Sequence, residues 1–154
     1  MNIFIPKVIV KKTAYTKLLN HVYDTDFLYE TGGILLGYSC LQIFYVTAFT
    51  FPRQSKNATK MTFILNGEEH MEEMERVRKE FRFHPKLIGV WHSHTTDDRS
   101  LSVQDKESNE VLVSHFGEIL SLIITQKAVD EIRLTAYYIS KKGTIHLCKY
   151  QFNK

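Results

Sequence analysis

The chain has 154 residues, 44% hydrophobic and 24% charged, with a formal net charge of +3. That balance fits one globular domain over residues 1–154 and excludes a disordered or fibrous chain. No apolar run approaches the ~20 residues of a membrane span, the first residues lack the basic region and long apolar core of a signal peptide, and Cys40 and Cys148 neither frame a disulfide scaffold nor show metal-ligand spacing. The expectation is a cytoplasmic protein with no membrane partner.

Residues 7–10 read as a first strand. Thr13 opens a helix to about residue 23, with Tyr15, Leu18, Leu19 and Val22 at helical spacing. Asp24, Thr25 and Asp26 break it. Residues 32–38 read as a buried strand whose glycines permit close backbone approach. Glu30 stands at its start; an acid in that place is by itself an ordinary surface residue. Ser39 and Cys40 are read as a tight connection into residues 41–49, rich in β-branched and aromatic side chains, so the two runs form a hairpin. A polar loop over 51–60 is the one stretch suited to a small substrate-binding insertion. Residues 61–65 make a short strand. Asn66 caps a helix to about residue 83, with Glu69 as its capping-box partner and Met71, Met74, Val77 and Phe81 as its apolar stripe. His70 and His84 are isolated and expected at the surface. Arg76, Arg78, Lys79, Arg82 and Lys86 are interleaved with Glu72, Glu73, Glu75 and Glu80, the pattern of a solvated helix face and not of a nucleic-acid footprint.

After Pro85, residues 87–91 form an apolar strand. A helix over about 103–115 ends at Gly117. Buried strands follow at 118–125 and 132–139, and Lys141, Lys142 and Gly143 turn the chain into a last strand over 144–152. The order βαββ, βα, βα and three strands predicts an α/β protein of the α+β type. It has a single mixed, largely antiparallel sheet flanked by about three helices.

The chemistry concentrates where the 87–91 strand ends. His92, His94, Ser102 and Asp105 stand in the pattern His-x-His-x7-Ser-x2-Asp. Alternation along a strand puts His92 and His94 on one face and Ser93 on the other. Ser102 suits a helix N-cap, and Asp105 stands where a capping-box acid stands, in the first helical turn. A carboxylate there can return to the two imidazoles. Two His and one carboxylate leave a tetrahedral metal one open position, as in catalytic zinc sites. Taken singly, the residues have ordinary readings: His-x-His as two polar residues on a solvated face, Ser102 and Asp105 as a helix cap. The apolar run before His92 weighs against the first, and the metal reading uses all four residues at once.

This spacing resembles the signature of the JAMM (MPN-plus) metalloproteases, the JAB-domain family. In that family the two His and the Asp bind zinc and the Ser assists the oxyanion. An upstream Glu in a Glu-x-x-Gly-x-x-Leu-Gly context serves as general base; Glu30 to Gly37 match that context. The resemblance runs from Glu30 to Asp105. It departs from the family at Thr95, where Pro usually follows the second His. It implies a JAB/MPN-like (cytidine-deaminase-like) fold and a Zn2+ cofactor held by His92, His94 and Asp105. It further implies a zinc isopeptidase, deubiquitinase-like, in which Glu30 assists attack by zinc-bound water and Ser102 helps hold the oxyanion. The net charge of +1 on such a zinc site acidifies water less than three neutral imidazoles would, which makes a base more necessary.

The implied substrate is the linkage behind the C-terminal tail of a ubiquitin-like protein or a conjugated nucleotidyltransferase. Small stand-alone relatives sit beside activating (E1-like) and conjugating (E2-like) enzymes, some in anti-phage (CBASS-type) operons, which makes those enzymes candidate partners in antiviral defence. Other relatives trim sulfur-carrier proteins, serve as metal-free MPN scaffolds, or resemble RadC. All five expected residues are present here, which weighs against the scaffold, and the mild interleaved charge weighs against a nucleic-acid role. No Cys-His or Gly-x-Ser-x-Gly nucleophile, His-Glu-x-x-His motif or deaminase signature competes.

Overall fold

The computed structural model describes residues 4–25, 27–51 and 67–154, the first three residues of the last segment by backbone alone. The strand expected at 61–65, the Asn66–Glu69 cap and the loop after Phe51 lie outside the described residues. Among these, eight strands and three helices follow in the order β1 (Lys7–Lys11), α1 (Lys12–Asp24), β2 (Gly32–Cys40), β3 (Ile43–Phe49), α2 (Gly67–Arg78), β4 (Lys86–Ser93), α3 (Val103–Phe116), β5 (Ile119–Ala128), β6 (Glu131–Ile139), β7 (Ile145–Cys148) and β8 (Tyr150–Asn153). The strands form one mixed sheet in the order β7-β6-β5-β4-β2-β3-β1-β8. Four neighbouring pairs are antiparallel and three parallel.

β7 and β8 occupy opposite ends of that order, yet only Lys149 separates them in sequence. The sheet therefore rolls round until one continuous segment joins its two ends. The last run is two half-strands and not the single strand expected: its first half pairs with β6 and its second with β1. The concave face encloses a core that draws Val8, Val10, Phe44, Val46, Trp91, Leu120, Leu122, Ile124 and Ala136 from five strands, covered by Ala14, Leu18 and Val22 of α1. A smaller cluster on the outer face joins Ile34, Leu36 and Ala48 to Met74 and Val77 of α2.

Three expectations are corrected. The β2–β3 turn is Leu41-Gln42, two residues later than expected, both in the left-handed region at φ 48° and 66°. The register Cys40↔Ile43 leaves a two-residue loop, and such loops demand positive φ at both residues, a need usually advertised by Asn or Gly. Helix α2 ends at Arg78, where Glu80 N–H and Phe81 N–H donate three residues back to Val77 O and Arg78 O, so the last turn tightens instead of continuing to residue 83. His70 is buried at 3% exposure, while Met71 is 46% exposed. The buried stripe of α2 thus runs His70, Met74 and Val77, with Phe81 packed beyond its end. His84 is exposed, as expected.

Candidate metal centre

β4, α3 and β5 form one crossover: β4 and β5 are parallel, with His92 level with Ile123. The crossover carries the chain from the end of β4 through residues 94–102 to the start of α3, so the helix begins beside the end of the strand that bears the imidazoles. His92 and His94 share one face, 6% and 9% exposed. Ser93 points the other way and is fully buried. Ser102 and Asp105 make a complete capping box: Asp105 N–H donates to Ser102 Oγ at 3.1 Å, and Ser102 N–H donates to Asp105 Oδ2 at 2.7 Å. The same carboxylate lies 3.3 Å from His92 Nε2 through Oδ1 and 3.7 Å from His94 Nε2 through Oδ2. The two Nε2 atoms are 2.9 Å apart. Cap and ligand are therefore not rival roles for Asp105; the cap is what aims the carboxylate.

One ligand atom from each of the three residues lies within 4.8 Å of the others, an arrangement that suits a tetrahedral cation. Ligands about 2.0–2.1 Å from zinc stand roughly 3.3 Å from one another, and the observed separations bracket that value. Two imidazoles and a carboxylate would leave a tetrahedral cation one open position, whereas closed structural sites supply four protein ligands. The His94 ring is oriented from behind, because its Nδ1–H donates to Asp98 O at 2.5 Å. That leaves Nε2 for a metal, the usual second hydrogen bond of a ligating imidazole. Asp98 is held by its own turn, with Oδ1 accepting from Ser100 N–H at 2.9 Å and Ser100 Oγ at 2.6 Å. Two ties to β6 fix this loop: Tyr137 O–H donates to Arg99 O at 2.8 Å, and Arg133 lies 3.8 Å from Asp97. These contacts, with buried Leu101, hold the path after His94 although Thr95 replaces proline.

The electrostatics favour positive charge at the point of convergence. Burial acts to raise the pKa of Asp105, but the hydrogen bonds from His92, His94 and the Ser102 backbone outweigh it and hold the carboxyl well below its ordinary range. Burial acts to lower the pKa of His94, but hydrogen bonds to Asp105 and Asp98 outweigh it and raise it. Groups that hold a proton between two imidazoles and a carboxylate release it when a divalent cation binds the same atoms.

Glu30 is brought to this site by strand register. β2 and β4 are antiparallel with Gly32 opposite His92, and Ser93 N–H donates to Thr31 O at 2.8 Å beyond the formal end of the ladder. Continuing that register sets Glu30 against His94, on the same face as both imidazoles. Half-buried, its carboxyl has a raised pKa: burial is the main cause, Asp105 adds to it, and His94 and His92 pull the other way. Gly33 explains the glycine of the upstream motif. A Cβ there would stand 2.2 Å from Thr50 O and 2.9 Å from Trp91 Nε1, where Trp91 Nε1–H donates to Thr50 O at 2.9 Å. Ser102 is exposed; its hydroxyl accepts from Asp105 N–H and keeps its own proton free to donate.

All five residues singled out in the sequence thus fall at one end of β4 and its neighbours. Spacing did not reveal the buried clasp between Thr31 and Ser93, the Asp98 carbonyl behind His94, or the ties from Tyr137 and Arg133. The Thr31 within the upstream motif was the one available signal, since it must pair with Ser93 if Gly32 pairs with His92.

A family model described as prokaryotic homologs of the JAB domain matches residues 13–139. No curated protein matches the chain. Among solved structures, the solution structure of protein DSY2949 from Desulfitobacterium hafniense has a TM-score of 0.71 at 19% identity, covering 96% of this chain and 93% of that chain. At that identity the likeness is one of fold.

Proposed function

The chain belongs to the prokaryotic homologs of the JAB domain, and from that premise we propose that it is a zinc-dependent peptidase or isopeptidase. Its substrate would be the linkage behind the C-terminal tail of a ubiquitin-like protein or a conjugated nucleotidyltransferase. The observation that carries this reading is the convergence of His92, His94 and Asp105 on the face where strand register also sets Glu30. His92, His94 and Asp105 would hold zinc, which when bound supplies an acidified water, with a pKa of ~7, and a Lewis acid.

The protein residues divide the remaining work. Glu30 accepts the proton of the attacking water and later delivers it to the leaving amine. A carboxyl whose pKa is raised by burial suits that double task better than a fully solvated one, because its carboxylate is a stronger base toward water while its acid form can still protonate an amine. Ser102 O–H donates toward the carbonyl oxygen as negative charge develops on it. Asp98, through its backbone carbonyl, keeps the His94 ring from turning.

Purified protein should carry about one zinc per chain by elemental analysis. It should cleave at least one of a panel of ubiquitin-like proteins, sulfur carriers included, fused through their C-terminal tails to a reporter. Glu30→Gln keeps the size of the side chain but cannot shuttle a proton, so it should retain zinc and lose most turnover. Cleavage that survives both Glu30→Gln and chelation would come from a contaminating protease. A zinc-loaded parent that cleaves no member of the panel would turn the reading toward a binding scaffold.

A further inference from the structure

Behind the imidazole face, on the other side of β2, lies a second set of contacts that the peptide chemistry does not use. Thr31 is 1% exposed. It and Ser93 clasp each other: Ser93 N–H donates to Thr31 O at 2.8 Å, and Thr31 N–H donates to Ser93 Oγ at 3.1 Å. The Thr31 hydroxyl lies 3.0 Å from His21 Nε2. His21 sits in the last turn of α1. Its ring is 4.8 Å from Phe51 and meets Trp91 edge-on at 5.9 Å. Thr31 is the neighbour of Glu30, and Ser93 stands between His92 and His94.

We infer that His21 is a positioning residue for Glu30, acting through Thr31; the inference rests on the metallopeptidase reading. Glu30 lies before the first paired residue of β2, Gly32, and strand ends are where local opening is cheapest. The chain just before it turns through Phe27 at φ 53°, so it lends no ladder of its own. The backbone pair with Ser93 holds Thr31 from one side, and the His21 contact adds a tie from a different element. That tie is half-buried, with Thr31 itself fully enclosed, so its hydrogen bond is stronger than one in open water and losing the partner leaves the Thr31 hydroxyl poorly satisfied. Thr31 points its side chain away from the face that Glu30 shares with the imidazoles, so His21 reaches neither substrate nor metal. Burial lowers the His21 pKa, with nearby Asp24 acting in the opposite direction. The ring is therefore neutral near pH 7, and the tie introduces no charge behind Glu30.

The test compares His21→Leu, Thr31→Val and His21→Gln with the parent, all zinc-loaded. Amide hydrogen exchange at Glu30, Thr31 and Ser93 is read by NMR, zinc content by elemental analysis, and kcat and KM with ubiquitin carrying a fluorogenic amide at its C-terminal carbon. His21→Leu and Thr31→Val should each speed exchange at those amides about tenfold and lower kcat about tenfold, with KM and zinc content unchanged. His21→Gln, whose amide can still reach the Thr31 hydroxyl, should recover most of both. Thr31→Val keeps the side-chain volume and carries the test alone if His21→Leu disturbs α1. Parental exchange in Thr31→Val would overturn the inference, and so would a fall in zinc content that tracks kcat, since His21 would then act on the metal ligands. If the parent has no activity on the ubiquitin probe, the exchange measurement still decides whether His21 holds Glu30.

Discussion

Helices α1 and α3 are of similar length and are attached to the sheet in opposite ways. α1 has no side-chain cap at Lys11 and no acid in its first turn. It is held by area: Ala14, Leu18 and Val22 enter the main core beside Val8, Val10 and Trp91. α3 has a complete capping box and buries only Asn109 fully, with Leu112 and Val113 half-buried. It is held by its first turn. Burying one Leu or Val contributes about 1.5–3 kcal/mol, whereas a cap contributes about 1 kcal/mol. α1 is therefore anchored by a stronger, non-directional force, and α3 by a weaker but directional one. The lesson is that the directional anchor coincides with the proposed ligand: Asp105 both caps α3 and faces the two imidazoles. A bound cation would stabilise the first turn of α3 by mass action and leave α1 nearly untouched.

The sharpest break of that contrast is Asp105→Ala, which removes ligand and cap partner together. Zinc content should fall from about one per chain to near zero, and amide exchange should speed in the first turn of α3 but not in α1. Asp105→Asn keeps an acceptor for Ser102 N–H and loses the charge, so it should lose zinc with a smaller change in exchange. Full zinc occupancy in Asp105→Ala would place the metal elsewhere.

Leu18→Ala attacks the other anchor. It should cost about 2–5 kcal/mol in denaturant unfolding, with zinc content per folded chain unchanged. A loss of zinc at equal stability loss would mean that the two helices are coupled more tightly than their contacts imply.

Ser102→Ala removes one half of the capping box. The stability cost should be about 1 kcal/mol. If the hydroxyl also donates to the oxyanion, kcat should drop ~100-fold while zinc stays bound; unchanged kcat would leave Ser102 a cap only. The smallest effect belongs to Val111→Ala on the solvent side of α3, where the side chain is 59% exposed. It should alter stability by no more than about 0.5 kcal/mol, and a larger loss would show that α3 depends on its outer face after all.

Local periodicity determined much of this protein. Strand alternation placed His92 and His94 on one face, the three-residue interval from Ser102 to Asp105 made the capping box, and Gly117, at φ 78°, ended α3 as expected. These are relations between residues a few positions apart, and the backbone geometry of a strand or a helix start is enough to settle them. Tertiary structure decided the rest. Glu30 shares the face of His94 only because β2 and β4 pair in one register, and a slip of one residue would turn it to the other face. Residues 144–152 read as one strand because a strand's pattern does not say which neighbours it pairs with, and here the two halves choose neighbours from opposite ends of the sheet. Leu41-Gln42 carries no turn signal, and only the flanking strand pairing forces its positive φ. His70 looked like a surface residue and the pattern gave His21 no role, because a histidine's hydropathy does not report burial. Packing against the sheet buried the first, and the approach of β2 to α1 gave the second its partner.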